Sequence, residues 1–185
     1  YRDTIGVAYR TYLRTTVQLA EAESALWQLR YGFPQFINGS AEEQQRILGE
    51  QDKWYAIVEE RLAAYGETAP DAEERRALTS LRAAYQRYKQ ARPKFFELWA
   101  AGEKDEAIAW HALTTTSFGA ETVRAFAAQI ALQRSFADQA RAKGERNARL
   151  ALALVTAITI ALLGMLVIGY AHSVRLLRPI RALRA

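Results

Sequence analysis

The chain has 185 residues, with 25 basic against 20 acidic side chains and no cysteine, which excludes disulfides, a thiolate nucleophile and a cysteine-ligated metal. Its net charge of +5 is uneven: residues 1–149 carry 21 Lys and Arg against 20 Asp and Glu, and the remainder is Arg175, Arg178, Arg181 and Arg184. A basic cluster so placed suits anionic lipid headgroups and gives no reason to expect a nucleic-acid partner.

Four prolines, at positions 34, 70, 93 and 179, and an abundance of Ala, Glu, Arg, Leu and Gln predict long helices with few turns. The first is expected from about Thr4 to Tyr31, with Val7, Tyr12, Leu13, Leu19, Leu26 and Leu29 on an apolar side, ending at Gly32-Phe33-Pro34. Asn38-Gly39-Ser40 reads as a turn, although it also matches a glycosylation sequon, and Ser40 with Glu43 reads as a capping box. The second helix carries Ile47, Trp54, Ile57, Val58, Leu62 and Tyr65 and is expected to stop at Gly66. Pro70-Asp71-Ala72-Glu73-Glu74 predicts a capped restart, its acids placed where the helix dipole favours them.

The third helix presents Leu78, Leu81, Tyr85 and Tyr88, crosses Pro93 with an expected kink, reaches Trp99 and breaks at Ala101-Gly102. Tyr85, Tyr88 and Arg87 read as core edge and solvated face rather than as a groove. A short piece, Glu103–Leu113, leads into a long fourth helix through Val123, Phe126, Ile130 and Phe136. Thr114–Gly119 leaves open whether the chain bends there.

Leu150–Tyr170 contains no charged residue, and none follows until Arg175. Twenty-one helical residues extend roughly 31 Å, close to the hydrocarbon thickness of a bilayer. The expected fold is therefore all-α: an antiparallel up-down-up-down four-helix bundle whose fourth helix continues into a transmembrane helix. The expected divisions are an extracytoplasmic bundle at 1–149, a transmembrane helix at 150–172 and the start of a further module at 173–185. Residues near 66–71 and 141–149 are then close to the membrane, and those near 32–40 and 101–118 far from it. The four terminal arginines place that end in the cytoplasm, opposed in part by Arg141, Lys143, Arg146 and Arg149 on the other flank. With no initiator Met before Tyr1 and an abrupt stop after Ala185, the chain reads as an excerpt, with an earlier membrane-targeting segment expected.

Catalysis finds little support. His111 and His172 are the only histidines, no metal-ligand spacing or phosphate loop occurs, and paired acids such as Glu42-Glu43 point in different directions on a helix. No enzyme activity, metal or cofactor is expected. The outer end of the bundle is richer, with Trp27, Tyr31, Phe33, Phe36, Phe95, Phe96, Trp99, Trp110 and Phe118 mapping near it. Arg30 and Arg92 belong to the same end, as do Thr114, Thr115, Thr116 and Ser117. Arginine offers a planar fork to a carboxylate, threonine hydroxyls can complete its hydrogen bonding, and aromatic walls exclude water. Arg30, Trp27, Arg92, Thr114, Thr115 and Thr116 are thus candidate ligand-binding residues for a small molecule, an organic anion for preference. A bundle tip packed with large side chains, its threonines capping a helix, is the plainer alternative.

The order of these features resembles the periplasmic sensor bundle of bacterial methyl-accepting chemotaxis receptors. The resemblance rests on ARPKFFELWAAGEKDEAIAW, on HALTTTSFGAETVRAF, on the span, and on SVRLLRPIRAL at Ser173–Leu183, which looks like the opening of a HAMP domain with Pro179 at its start. It implies a homodimer in the bacterial inner membrane, residues 1–149 periplasmic and 173–185 cytoplasmic, sensing a small ligand at its outer end. It further implies a piston-like shift of the fourth helix, relayed through HAMP to cytoplasmic signalling proteins. Arginines of the first helix hold the ligand in the amino-acid receptors of that family; Arg30 and Thr114–Thr116 are the nearest matches here, while Arg10 and Arg14 lie much further down. Gly144 and Pro179 are the positions expected to matter for transmission. The alternatives are the sensor of a membrane histidine kinase or diguanylate cyclase, enzymatic only further along, or a structural membrane bundle that binds nothing.

Overall fold

The computed structural model describes residues 2–68 and 71–182, and side chains at 12–68 and 71–170. Pro70 and Arg184 lie outside the described residues, and the side chains of Val7, Arg10, His172, Arg175, Arg178, Pro179 and Arg181 are likewise outside them. All described secondary structure is helical: α1 (Arg2–Asn38), α2 (Ala41–Thr68), α3 (Ala72–Ala100), α4 (Lys104–Trp110), a π turn (His111–Thr115) and α5 (Thr116–Ala182). The molecule is an all-α four-helix bundle in which one helix is also long and apolar enough to cross a membrane.

Two expected helix ends move outward. Gly32 does not end α1, which runs through Pro34 to Asn38; a Cβ on Gly32 would lie 3.3 Å from Ile47 Cγ2, so the missing side chain admits α2. Gly66 likewise sits inside α2, which continues to Thr68. There the absent Cβ leaves room for the Arg82 guanidinium, whose Nη2 donates to the Leu62 carbonyl at 2.7 Å. In both places glycine marks close packing between helices. Gly102 does end a helix, with φ at +84°, a conformation L side chains rarely adopt.

The caps are partly as the sequence suggests. Asp71 accepts from the Glu73 N–H at 2.7 Å, closing the start of α3. Ser40 Oγ accepts from the Glu43 N–H at 3.3 Å, but the Glu43 carboxylate turns to Arg46, at 2.6 Å from Nη2, instead of completing a box. That guanidinium holds the Glu43 carboxyl below its ordinary pKa.

The chain divides into two compact units, Tyr1–Ala137 and Asp138–Ala185. The first has a continuous core in which Leu19, Leu26, Leu29, Val58, Leu62, Leu81, Tyr85, Tyr88, Phe95 and Phe126 are at most 2% exposed. Leu13 does not join it: at 44% exposure it belongs to the opposite side of α1. In the second unit every described side chain from 138 to 170 is exposed, including the whole apolar stretch. Eighteen or more apolar residues left uncovered would be untenable in water and are at home in lipid.

Candidate functional site

Phe33 and Phe36 of α1, Phe95, Phe96 and Trp99 of α3, and His111 of the π turn pack ring against ring. Phe33 meets Phe95 edge-on at 4.9 Å and Phe96 stacked at 5.7 Å, and its centroid is 4.2 Å from His111. Phe36 meets Phe96 at 5.1 Å and Trp99 at 5.5 Å. Trp110 anchors the following segment by donating Nε1–H to the Ala91 carbonyl at 2.8 Å. Five of the aromatic residues singled out from the sequence, Phe33, Phe36, Phe95, Phe96 and Trp99, thus form one shell around the ends of α1 and α3. Trp27 and Tyr31 stand apart from it, stacked on each other at 5.4 Å.

Arg92 lies beneath this shell and is only 1% exposed. Its Nη1 donates to the Leu29 carbonyl at 2.6 Å and to Tyr88 Oη at 2.7 Å; Nε donates to Tyr55 Oη at 2.8 Å and Nη2 to Gln51 Oε1 at 2.9 Å. Its Cζ stands 4.3 Å from the Phe33 ring centroid. Every one of these partners is neutral, and no ion pair among the described residues involves Arg92. Burying a guanidinium in this way is tolerable because oriented dipoles and aromatic faces replace water, although no counter-charge is supplied. Burial pushes the Tyr55 and Tyr88 phenols up in pKa, with Arg92 opposing, so both stay protonated and can hydrogen-bond.

A cavity of about 130 Å³ opens between α1 and α2 and reaches Arg92. Leu29, Gly32, Ile47 and Trp54 supply its apolar surface, and Gln28, Gln35, Gln51, Arg46 and Glu50 its polar surface. Gln28 and Gln35 are exposed, so the cavity runs from solvent to a buried cation.

The remaining candidates fall into two further groups. Arg30 is half-buried, donates Nη1–H to the Gly119 carbonyl at 3.2 Å, and places its Cζ 4.7 Å from the Trp27 ring centroid. Gly119 permits this because a Cβ there would lie 3.1 Å from Tyr88 Cε2 and 3.3 Å from Arg30 Nε. Thr114 and Thr115 sit on the π turn and Thr116 begins α5. Thr114 Oγ1 donates to the Trp110 carbonyl at 2.5 Å and Thr115 Oγ1 to the His111 carbonyl at 3.1 Å, while Thr116 is exposed with its Oγ1 3.5 Å from His111 Nε2. The Thr115 hydroxyl also meets His111 Nδ1 at 2.5 Å. Burial, then Arg92 and Arg30, depress the His111 pKa and keep the ring neutral.

Sequence reasoning found Arg92 but not Gln51, Tyr55 and Tyr88, which hold it. Tyr55 lies one residue from Trp54 and carried no distinguishing pattern. It also missed a polar layer elsewhere in the bundle. There Tyr65 donates to Glu74 Oε1 at 3.0 Å and accepts from Gln129 Nε2 at 2.6 Å, and Gln133 Nε2 donates to Thr15 Oγ1. Thr122, Gln129 and Gln133 recur at helical spacing on the side of α5 that carries Phe126, the one signal that could have revealed it.

The described residues thus combine a helical bundle that holds a solvent-connected cavity with one exposed helix long and apolar enough to cross a membrane. Residues 7–148 match the four-helix-bundle sensory module for signal transduction. The chain belongs to that family, which is non-catalytic, and its place is in signal transduction of the chemotaxis-receptor kind. No curated protein and no solved structure gives a significant match.

Proposed function

We propose that this chain is the sensor and membrane-spanning region of a homodimeric chemoreceptor of a bacterial inner membrane. The bundle at 1–149 is periplasmic and senses a small ligand, residues 150–172 cross the bilayer, and 173–185 begin a HAMP domain that passes the signal to a cytoplasmic output module. One observation carries the reading: the family match ends at residue 148, and the same helix, α5, goes on directly into an uncharged, fully exposed stretch followed by four arginines. Short connections, and the packing of the last turns of α1 against those of α3, support an up-down-up-down arrangement.

Dimerisation finds support on α1. Leu13, Val17, Ala20, Ser24, Trp27 and Tyr31 recur at alternating steps of four and three, with Leu13, Val17 and Tyr31 at 44%, 53% and 55% exposure. That spacing is the seam of a two-stranded coiled coil, with small residues at its centre for close approach. Because the chain has no native cysteine, Ser24→Cys gives a clean test: oxidation in membranes should trap a dimer, whereas Glu23→Cys, beside the seam, should cross-link less.

Function is tested by joining residues 1–185 to the cytoplasmic signalling region of a chemotaxis receptor and measuring kinase output against a small-molecule panel. A saturable response is expected, and Gly144→Pro, in helix with nothing within 4 Å, should leave binding intact while weakening output. A phosphatase reporter inserted at Gly102 should be active and one placed after Ala185 inactive. The reverse pattern would invert the topology and end this reading.

A further inference from the structure

We infer that the cavity between α1 and α2 is a binding site for a short-chain monocarboxylate, held by Arg92 within a single subunit. This deepens the sensory reading above and rests on it. Arg92 has five N–H groups, of which four have acceptors in the bundle; the second hydrogen on Nη2 has none among the described residues. The cation is 1% exposed, lacks a carboxylate partner, and lines a cavity open to solvent. A buried guanidinium with a spare donor and no counter-ion lacks one thing, an anion.

The other walls narrow the class. At about 130 Å³ the cavity is slightly smaller than one of about 150 Å³ that encloses benzene, so its occupant has on the order of six heavy atoms. The accessible lining is mainly polar, with Leu29, Ile47 and Trp54 leaving only a small apolar surface, enough for a short alkyl group, and Gln51 lies beside the guanidinium to orient a carboxylate. Arg46 brings no free positive charge to the rim, because Glu43 and Glu50 hold it at 2.6 Å and 2.8 Å. Glu43 and Glu50 together outweigh the single charge of Arg46, and this net negative rim would repel a second negative charge, which disfavours dicarboxylates and phosphate. The fit is a two- to three-carbon acid such as acetate, propionate or lactate.

The full chain in lipid nanodiscs is titrated calorimetrically with acetate, propionate and lactate, and with propionamide, succinate, phosphate and chloride for comparison. At least one monocarboxylate should bind saturably at one site per subunit, and propionamide should not bind. Gln51→Glu places a fixed carboxylate on Arg92 without changing shape; binding should fall by about tenfold or more while the thermal midpoint holds or rises. Gln28→Trp, at an exposed position on the rim, should weaken binding by obstruction and covers the case in which Gln51→Glu folds poorly. Monocarboxylate binding unchanged in both variants would move the site elsewhere and overturn the inference, as would tighter binding of chloride or phosphate than of every acid. If no acid binds but the receptor fusion answers other compounds, the ligand class is wrong and the sensory reading stands. If acids bind at Arg92 but the fusion is silent to everything, the site stands and the receptor reading fails.

Discussion

Two buried charges in this bundle make an instructive pair. Arg92 is 1% and Glu74 5% exposed, and neither forms an ion pair among the described residues. Glu74 accepts from the Tyr65 hydroxyl, and its own backbone carbonyl accepts from Gln129 at 3.4 Å; neither Glu74 nor Tyr65 nor Gln129 lines the α1–α2 cavity. Arg92 is stabilised by a larger neutral cage and opens onto a cavity. The Glu74 layer ties three helices together by polar groups that must match. The Arg92 layer holds an unused donor where a solute can reach it. Burial of charge alone therefore does not mark a site; burial together with access does.

The contrast can be broken most severely at Phe33, which is 1% exposed, has its ring centroid 4.3 Å from the Arg92 Cζ, stacks on Phe96 and packs at a tilt against His111. Phe33→Ala should cost about 3–5 kcal/mol, read as a fall in thermal midpoint by circular dichroism of the full chain. A loss below about 1 kcal/mol would mean the aromatic shell is not packed as described.

Paired phenol deletions sharpen the comparison. Tyr65→Phe removes the donor to Glu74 and the acceptor of Gln129 away from the α1–α2 cavity, and should cost about 1–3 kcal/mol. Tyr88→Phe removes one of four acceptors from Arg92, beside a cavity that water can enter, and should cost about 1 kcal/mol or less. Equal losses would erase the distinction between the layers. Asp71→Ala, which uncaps the helix bearing Glu74, should cost about 1 kcal/mol and should loosen amide protection first at residues 72–75.

The smallest effect concerns pH. His111 has a folded pKa below its ordinary value of 6.5, so on acidification the unfolded chain takes up this proton first. Its contribution to stability is complete above about pH 6.5 and is lost as pH falls through that value toward the folded pKa. The midpoint of the wild type should consequently drop more between pH 7 and pH 5 than that of His111→Gln. Parallel profiles would show that His111 is neither desolvated by burial nor within the fields of Arg92 and Arg30.

Helix number, the cap at Asp71, the break at Gly102 and the apolar stretch at 150–170 were legible in the sequence because each depends on local chemistry or on composition over one helix. Gly32 and Gly66 misled for a physical reason. Glycine breaks helices when judged by backbone entropy, yet inside a bundle it is also what lets a second helix or a guanidinium approach. Leu13 misled in the same way, since hydrophobicity does not say whether a residue faces its own core or the surface. The candidate site was half legible. Arg92 stood out as a charge among aromatics, but which groups saturate it is a property of three helices meeting.

By itself, then, the sequence determined that the chain is helical, that it has a water-compatible part and a lipid-compatible part, and which residues cap and break the helices. These follow from torsional preference and transfer free energy, which act residue by residue. Only the tertiary structure decided that Arg92 is buried without a counter-ion, that four neutral acceptors hold it, and that a cavity leads to it. Those facts depend on the relative placement of Leu29, Gln51, Tyr55 and Tyr88, from three helices far apart in sequence, and no local rule encodes such distances.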